Sequence, residues 1–258
     1  MHEPVLTRID ERIGVIELAR PDKFNCLSMR AWELIDDART AFEADGQVRA
    51  ILIRAQGEHF CTGADLDEVK AIRSDREKTT AFIERGHHAL RALEASPLPV
   101  IVAVQGLCLA GGLELMLAAD IAFAAKSARF GDQHAQYGLV PGWGGSQRLP
   151  RLLGTRRALD LMFSAKWLSA DDALALGLVN YVTDDDQLHP EALAYATKLS
   201  ERSRQGLAEM KRLARQGLDR GMGEGLALEA DAAVDHLLGP DTTEGLAAFE
   251  ARRKPNFD

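Results

Sequence analysis

Residues 104–120, VQGLCLAGGLELMLAAD, constrain the chain more than any other stretch. They read as a buried strand that delivers a small-residue turn, Ala110-Gly111-Gly112, into the first turn of an apolar helix carrying one charged side chain, Glu114. Glycine weakens a helix interior but suits its start, where backbone N–H groups lack intrahelical partners and face an anion or a developing oxyanion. Glu114 lies in that first turn among Leu113, Leu115, Met116 and Leu117. Burying an unpaired carboxylate there is costly. The side chain is therefore satisfied by a partner, held for proton transfer, or set to complement the helix dipole.

The rest of the chain alternates strand and helix up to about residue 185. VLTRI (5–9) and IGVIEL (13–18) predict paired strands around Asp10-Glu11-Arg12. Ser28 caps a predicted helix over 29–44, with Trp32, Ile35, Ala38 and Phe42 on its core face. The strand 48–55 leads into Phe60-Cys61-Thr62-Gly63-Ala64-Asp65-Leu66, a small-residue loop that lets backbone approach a ligand. A helix over 76–95 carries His87 and His88 on a charged, solvated face, and Pro97 and Pro99 end it before the strand 100–104. Strands follow at 121–125 and 128–131. The Gly- and Pro-containing segment from Asp132 to Ser146 is too irregular for an interior element and reads as a site wall, with His134 and Tyr137 its titratable candidates and Trp143 a lid, pocket floor or core residue. Ser169-Ala170-Asp171-Asp172 resembles a capping box with Asp in place of Glu, opening a short helix that Gly177 ends before a strand over 178–182. Four helices, at about 190–203, 206–220, 223–238 and 241–253, complete the chain, so a boundary near residue 185 separates a core (1–185) from a C-terminal helical region (186–258). Such an appendage leaves apolar face for another subunit.

Composition excludes several classes. A net charge of −8 over 258 residues argues against nucleic acid as the main partner. The N-terminus has no apolar signal core and no stretch reaches eighteen consecutive apolar residues, so a cytoplasmic protein with no membrane partner is expected. Cys26, Cys61 and Cys108 are odd in number and widely spaced; they predict free thiols, with Cys61 and Cys108 as small core fillers, and no metal site.

Four ordered blocks together resemble the crotonase superfamily, also called the enoyl-CoA hydratase/isomerase superfamily: Phe60 to Leu66, the strand-GG-x-E helix from Pro99 to Asp120, Gly138 to Leu149, and Ala173 to Val179. The resemblance implies an α/β fold, a superhelical spiral of ββα units closed by a C-terminal helical trimerisation region, assembled as a homotrimer or homohexamer. It implies an acyl-CoA thioester substrate, coenzyme A entering with that substrate and no separate cofactor. Matched onto this chain, the thioester carbonyl oxygen is bound by the backbone N–H groups of Ala64 and Gly111. Such donors stabilise the negative charge of a thioester enolate, and losing one costs about 3–4 kcal/mol. By position, Lys23 and Phe24 with Thr62, Asp65 and Leu66 line the nucleotide half of the ligand, while Tyr137 and Trp143 belong to the site wall. Phe249, Arg252 and Lys254 reach the nucleotide phosphate from the C-terminal helix, in the same or a neighbouring subunit.

Two positions depart from the pattern. Family hydratases carry a second glutamate about twenty positions after the first; counted back from Gly138 and Pro141, that position holds His134. A Glu114–His134 pair still supplies a base and an acid, since histidine titrates near neutrality and a nearby carboxylate raises its pKa. Hydration or dehydration of an acyl-CoA comes first. Isomerisation, hydrolysis of a thioester or of a carbon–carbon bond, and a catalytically degenerate CoA-binding protein stand beside it, with a scaffold or RNA-binding member disfavoured by charge. Trp143 stands where the motif carries a small residue, which implies a shortened or flattened acyl pocket.

Overall fold

The structure, a computed structural model, describes residues 3–257. Val5–Asp10 (β1) and Ile13–Leu18 (β2) form an antiparallel hairpin that turns at Glu11, whose φ is 53°. Onto β2 are added, all in parallel, Ala50–Ala55 (β3), Val100–Val104 (β4), Ile121–Ala125 (β6) and Tyr181–Thr183 (β9), giving a six-stranded sheet in the order β1-β2-β3-β4-β6-β9. Strands such as VIVAV are apolar without alternation because helices cover both sheet faces. A smaller sheet joins Leu107–Leu109 (β5), Arg129–Gly131 (β7) and Leu168–Ser169 (β8).

Alternate strand residues feed two cores. Ile16, Ile51, Ile53, Val100 and Val102 belong to the larger, with Trp32, Ile35 and Phe42 of Met29–Ala44 (α1) and Phe82, Leu90 and Leu93 of Arg76–Ala95 (α3). Val15, Leu52, Ile101 and Phe123 face the other way, onto Leu188, Ala192 and Ala196 of Leu188–Ser200 (α8). The first C-terminal helix is thus a cover for the sheet. The expected Ser28 cap is present, its Oγ accepting from Ala31 N at 3.2 Å, and Ser169 and Asp172 form the reciprocal box that opens Ala170–Ala175 (α7).

One strand expectation is corrected. Leu178 and Val179 are not in the sheet: both are buried, but their backbone N–H groups donate to Ala173 O in the turn that leaves α7; Asn180 makes the first bonds to β6, its N–H donating to Ala122 O at 2.9 Å, and the strand itself begins at Tyr181. Leu66–Ile72 (α2), Gly111–Ala118 (α4), Gly145–Leu153 (α5) and Thr155–Ser164 (α6) complete the core.

Arg204–Gly217 (α9), Met222–Leu237 (α10) and Pro240–Glu250 (α11) follow. A buried cation holds α9 down: Lys211 Nζ donates to Leu93 O and Leu98 O, 3.0 Å each, and lies 2.7 Å from Asp120 Oδ2. Arg215, one turn on, pairs with Asp120 Oδ1 at 2.7 Å. Beyond these anchors the three helices expose large apolar side chains, among them Met210, Leu218, Met222, Leu238, Leu246 and Phe249.

Candidate active site

A parallel bridge between Cys61 and Cys108 builds the site. Cys61 N donates to Leu107 O at 3.0 Å and Leu109 N to Cys61 O at 2.9 Å, which fixes the 60–65 loop against β5 and the start of α4. Close approach explains the glycines. A Cβ on Gly112 would fall 2.3 Å from Cys61 O, and one on Gly63 would fall 3.1 Å from Gly111 N. Ala110 precedes the helix in a strained conformation, φ 46° and ψ −117°, held by its N–H to Gly131 O at 3.0 Å. Ala64 and Gly111 therefore come to one cavity, and among the described residues no acceptor takes up either N–H. Both thiols are locked in this packing: burial pushes the Cys61 pKa up to about 12 and that of Cys108 well above the ordinary thiol value, as suits core fillers.

Glu114 reaches the same cavity from the first turn of α4 and is 1% exposed. Its Oε1 accepts from Trp143 N at 2.8 Å and Gly145 N at 2.7 Å, while Oε2 is buried without a partner. The carboxylate is thus held at one oxygen and free at the other. Burial raises its pKa, and the Gly145 amide, the charge of His134 and the Trp143 amide pull against that without cancelling it. The loop that grips Glu114 is itself clamped: Arg148 donates to Trp143 O at 2.7 Å and forks onto Glu94, with both bonds at 2.7 Å.

His134 lines the cavity opposite, at the start of a short turn over Ala135–Tyr137. Its Nδ1 is 3.0 Å from Oδ1 of Asp132, a residue 1% exposed. Burial works against the charged ring, but the hydrogen bond and charge of Asp132, with the charge of Glu114, outweigh it and raise the pKa. Asp132 was not among the sequence candidates; its signal is the Asp-x-His spacing, which lets one carboxylate accept from both the ring and the backbone N–H of the second residue on, here at 3.4 Å.

The cavity has a volume of about 140 Å³, with apolar walls that include Leu66, Val69, Phe82 and Leu139. Trp143 also lines it. The indole is 3% exposed and packs edge-on against Trp32 and Phe82, with ring centroids 4.9 and 5.3 Å apart. It fits only because α3 and α4 present glycine to it: a Cβ on Gly86 would lie 2.3 Å from the indole Nε1, and one on Gly111 2.5 Å from its six-membered ring.

The other sequence candidates divide. Leu66 joins the cavity wall. Lys23 lines a wide surface cleft of about 850 Å³ with Arg20 and Arg30, its Nζ 3.0 Å from Asp67. Phe24, half exposed, stacks on His59 with centroids 5.4 Å apart, and its carbonyl accepts the Thr62 N–H at 3.2 Å. The Asp65 carboxylate is taken up internally: it caps α2 and pairs with Arg20 at 2.9 Å, and although burial pushes its pKa up, Arg20 and the helix amides bring it below the ordinary value. Tyr137, 76% exposed, is not in the cavity wall. Nor are Phe249, Arg252 and Lys254; the first is 83% exposed and the last lies 3.7 Å from Glu201. Neither His87 nor His88 is in that wall; His88 Nε2 faces Asp36 at 3.2 Å. Among the described residues no group of three or more His, Cys, Asp or Glu side chains is arranged to hold a metal ion.

The family model for enoyl-CoA hydratase/isomerase matches residues 8–258. The chain belongs to that family. As an enoyl-CoA hydratase/isomerase family member it is 33% identical over 257 residues to a crotonyl-CoA hydratase of Syntrophomonas wolfei, covering 99% of this chain and 98% of the relative. It is 33% identical to the mouse mitochondrial methylglutaconyl-CoA hydratase over 96% of this chain and 81% of that one. The crystal structure of an enoyl-CoA hydratase from Polaromonas sp. JS666 superposes with a TM-score of 0.95 at 30% identity, over 98% of this chain and 99% of that one. The family fold is therefore the expected crotonase spiral.

A carboxyl whose folded pKa lies above its unfolded value contributes stability that is complete below the unfolded value and lost as pH rises through the folded one. Glu114 is such a group. Glu114→Gln keeps an acceptor for the two amides and removes the buried charge, so we expect the variant to be more stable than the parent at neutral pH by about 0.5–2 kcal/mol. Denaturant midpoints measured from pH 4 upward should separate progressively in favour of the variant; midpoints that stay together would contradict this reading of Glu114.

Proposed function

We propose that the chain adds water reversibly across the double bond of a short or compact 2-enoyl-CoA thioester. The observation that carries this reading is a buried Glu114 with an unpartnered Oε2 that lines one cavity with His134 and with Ala64 and Gly111, whose amides have no acceptor among the described residues. Glu114 Oε2 takes a proton from water as the water oxygen bonds to the β-carbon. The electron pair of the double bond moves toward the thioester, and the charge on its carbonyl oxygen is met by the N–H of Ala64, in the loop before α2, and that of Gly111, at the N-terminus of α4. The enolate collapses as its α-carbon takes a proton from the His134 ring. Water has then been added as hydrogen and hydroxyl, and transfer of the Glu114 proton back to His134 through solvent restores the starting state. The hydratase names of the relatives support the same chemistry.

The nucleotide half of coenzyme A lies along Lys23, Phe24 and Thr62, and coenzyme A enters and leaves with the acyl group. The exposed apolar surface of α9–α11 supports assembly as a homotrimer or a pair of trimers, in which Phe249, Arg252 and Lys254 approach the nucleotide of a neighbouring subunit. No helix among the described residues is long and apolar enough to cross a membrane, and the cytoplasm is the compartment we assign.

Incubation with enoyl-, hydroxyacyl- and dicarbonyl-CoA thioesters, read by product mass, should give gain of water on enoyl-CoA and its loss in reverse. Free acid with CoA would point to hydrolysis, an unchanged mass with a moved double bond to isomerisation, and no product from any thioester to a binding protein. Glu114→Gln should lower hydration turnover at least about 100-fold while acyl-CoA still binds; retained turnover would refute its role. Trp143→Ala should extend the accepted acyl length by removing the indole from the cavity wall, and a variant with the parent's chain-length preference would sink that account. Sedimentation equilibrium should return a mass three or six times that of the chain, and a monomer at micromolar concentration would exclude the assembly.

A further inference from the structure

A hydratase site needs its acid to carry its proton in a fixed direction, and the residue placed to do that in this chain is a third acidic group. Asp132 is buried, and its Oδ1 meets His134 twice, lying 3.0 Å from ring Nδ1 and accepting from the backbone N–H at 3.4 Å. With Nδ1 so engaged, Nε2 is the ring nitrogen left for the cavity, and among the described residues no protein group pairs with it. The largest charged influences on the ring are Asp132 and Glu114.

We propose that Asp132 is a positioning residue for proton transfer by His134: its carboxylate fixes the proton on Nδ1, turns Nε2 toward the substrate cavity and holds the ring in its protonated, acid form before hydration begins. This deepens the hydratase reading and rests on it. The logic is that of any imidazole whose far nitrogen is held by a buried carboxylate, which selects the tautomer and favours the cation. A carboxylate that merely tied the backbone turn would need only the bond to the His134 N–H. The bond to the ring ties the acidic strength of one side chain to the charge of another. The pKa of His134 is raised in keeping with this.

The test uses the full-length protein labelled with nitrogen-15 at histidine, with His134 assigned through His134→Gln. The parent should titrate above an ordinary imidazole and be Nδ1-protonated when neutral. Asp132→Asn, which keeps a carbonyl for the turn but removes the charge, should lower the midpoint by at least about one pH unit. The alkaline limb of kcat/KM for crotonyl-CoA hydration should move to lower pH with it, with KM within about threefold of the parent. An Nε2-protonated neutral ring in the parent overturns the proposal, as does an unshifted midpoint in Asp132→Asn or an alkaline limb that stays put while the midpoint moves. If Asp132→Asn does not fold, the parent spectrum decides alone: a midpoint at or below the ordinary imidazole value overturns the proposal. Because the spectra need no turnover, absence of hydration alongside the expected spectra would sink the hydratase reading and leave the geometry at His134 standing.

Discussion

The site depends first on a short backbone pairing, the bridge between Cys61 and Cys108. Two hydrogen bonds of about 3 Å bring together chain segments separated by some fifty residues, and they do so between small side chains and glycines because the amide of Gly111 has to lie beside Gly63. A backbone amide is a good oxyanion donor only if no carbonyl already uses it. Here the first turn of α4 leaves the Gly111 N–H free by helix geometry, and a second bridge, between Leu27 and Ala64, uses Gly63 O (from Leu27 N, 2.8 Å) and Asp65 N (to Leu27 O, 2.9 Å) and passes over the Ala64 N–H. The donors are therefore fixed by the same bonds that fold the region.

Around those donors the protein tolerates an arrangement that costs stability. A carboxylate 1% exposed with one unpartnered oxygen is an expensive side chain in a helix of leucines, and two amides and the nearby imidazole offset only part of the cost. Arg148 and Glu94 stabilise the loop that donates those amides, and the Lys211–Asp120–Arg215 cluster anchors α9 beside them. Charge pairs at the periphery thus hold rigid a centre whose own charges are left partly unpaired.

Local pattern carried much of this into the sequence. The Ser28 cap, the α1 core face, the Ser169–Asp172 box and the GG-x-E turn were legible because each depends on residues within one or two turns of one another. The apolar neighbours of Glu114 signalled its burial, which the structure shows, and the family blocks pointed to Ala64 and Gly111, which line the same cavity. What escaped depends on distant partners. The carboxylate of Asp65 goes to Arg20, forty-five residues away, which no local pattern encodes. Leu178 and Val179 look like strand because they are apolar, but burial in a turn needs apolar residues just as a sheet does. Asp132 was within reach, two residues from His134, yet its meaning depends on burial that its neighbours in sequence do not reveal.

The seat of Trp143 in the cavity wall has its own consequence. Trp143 is seated between Gly86 and Gly111, two glycines on different helices that touch opposite parts of one indole. Cavity depth is consequently a joint property of three positions scattered over the chain. A larger residue at 86 is excluded while the indole is present and becomes admissible only once it is gone, whereas 111 is also bound to the oxyanion amide. Substitutions that reshape this cavity are therefore order-dependent: position 143 must change first, and the space it vacates can then be refilled from α3 but not from α4.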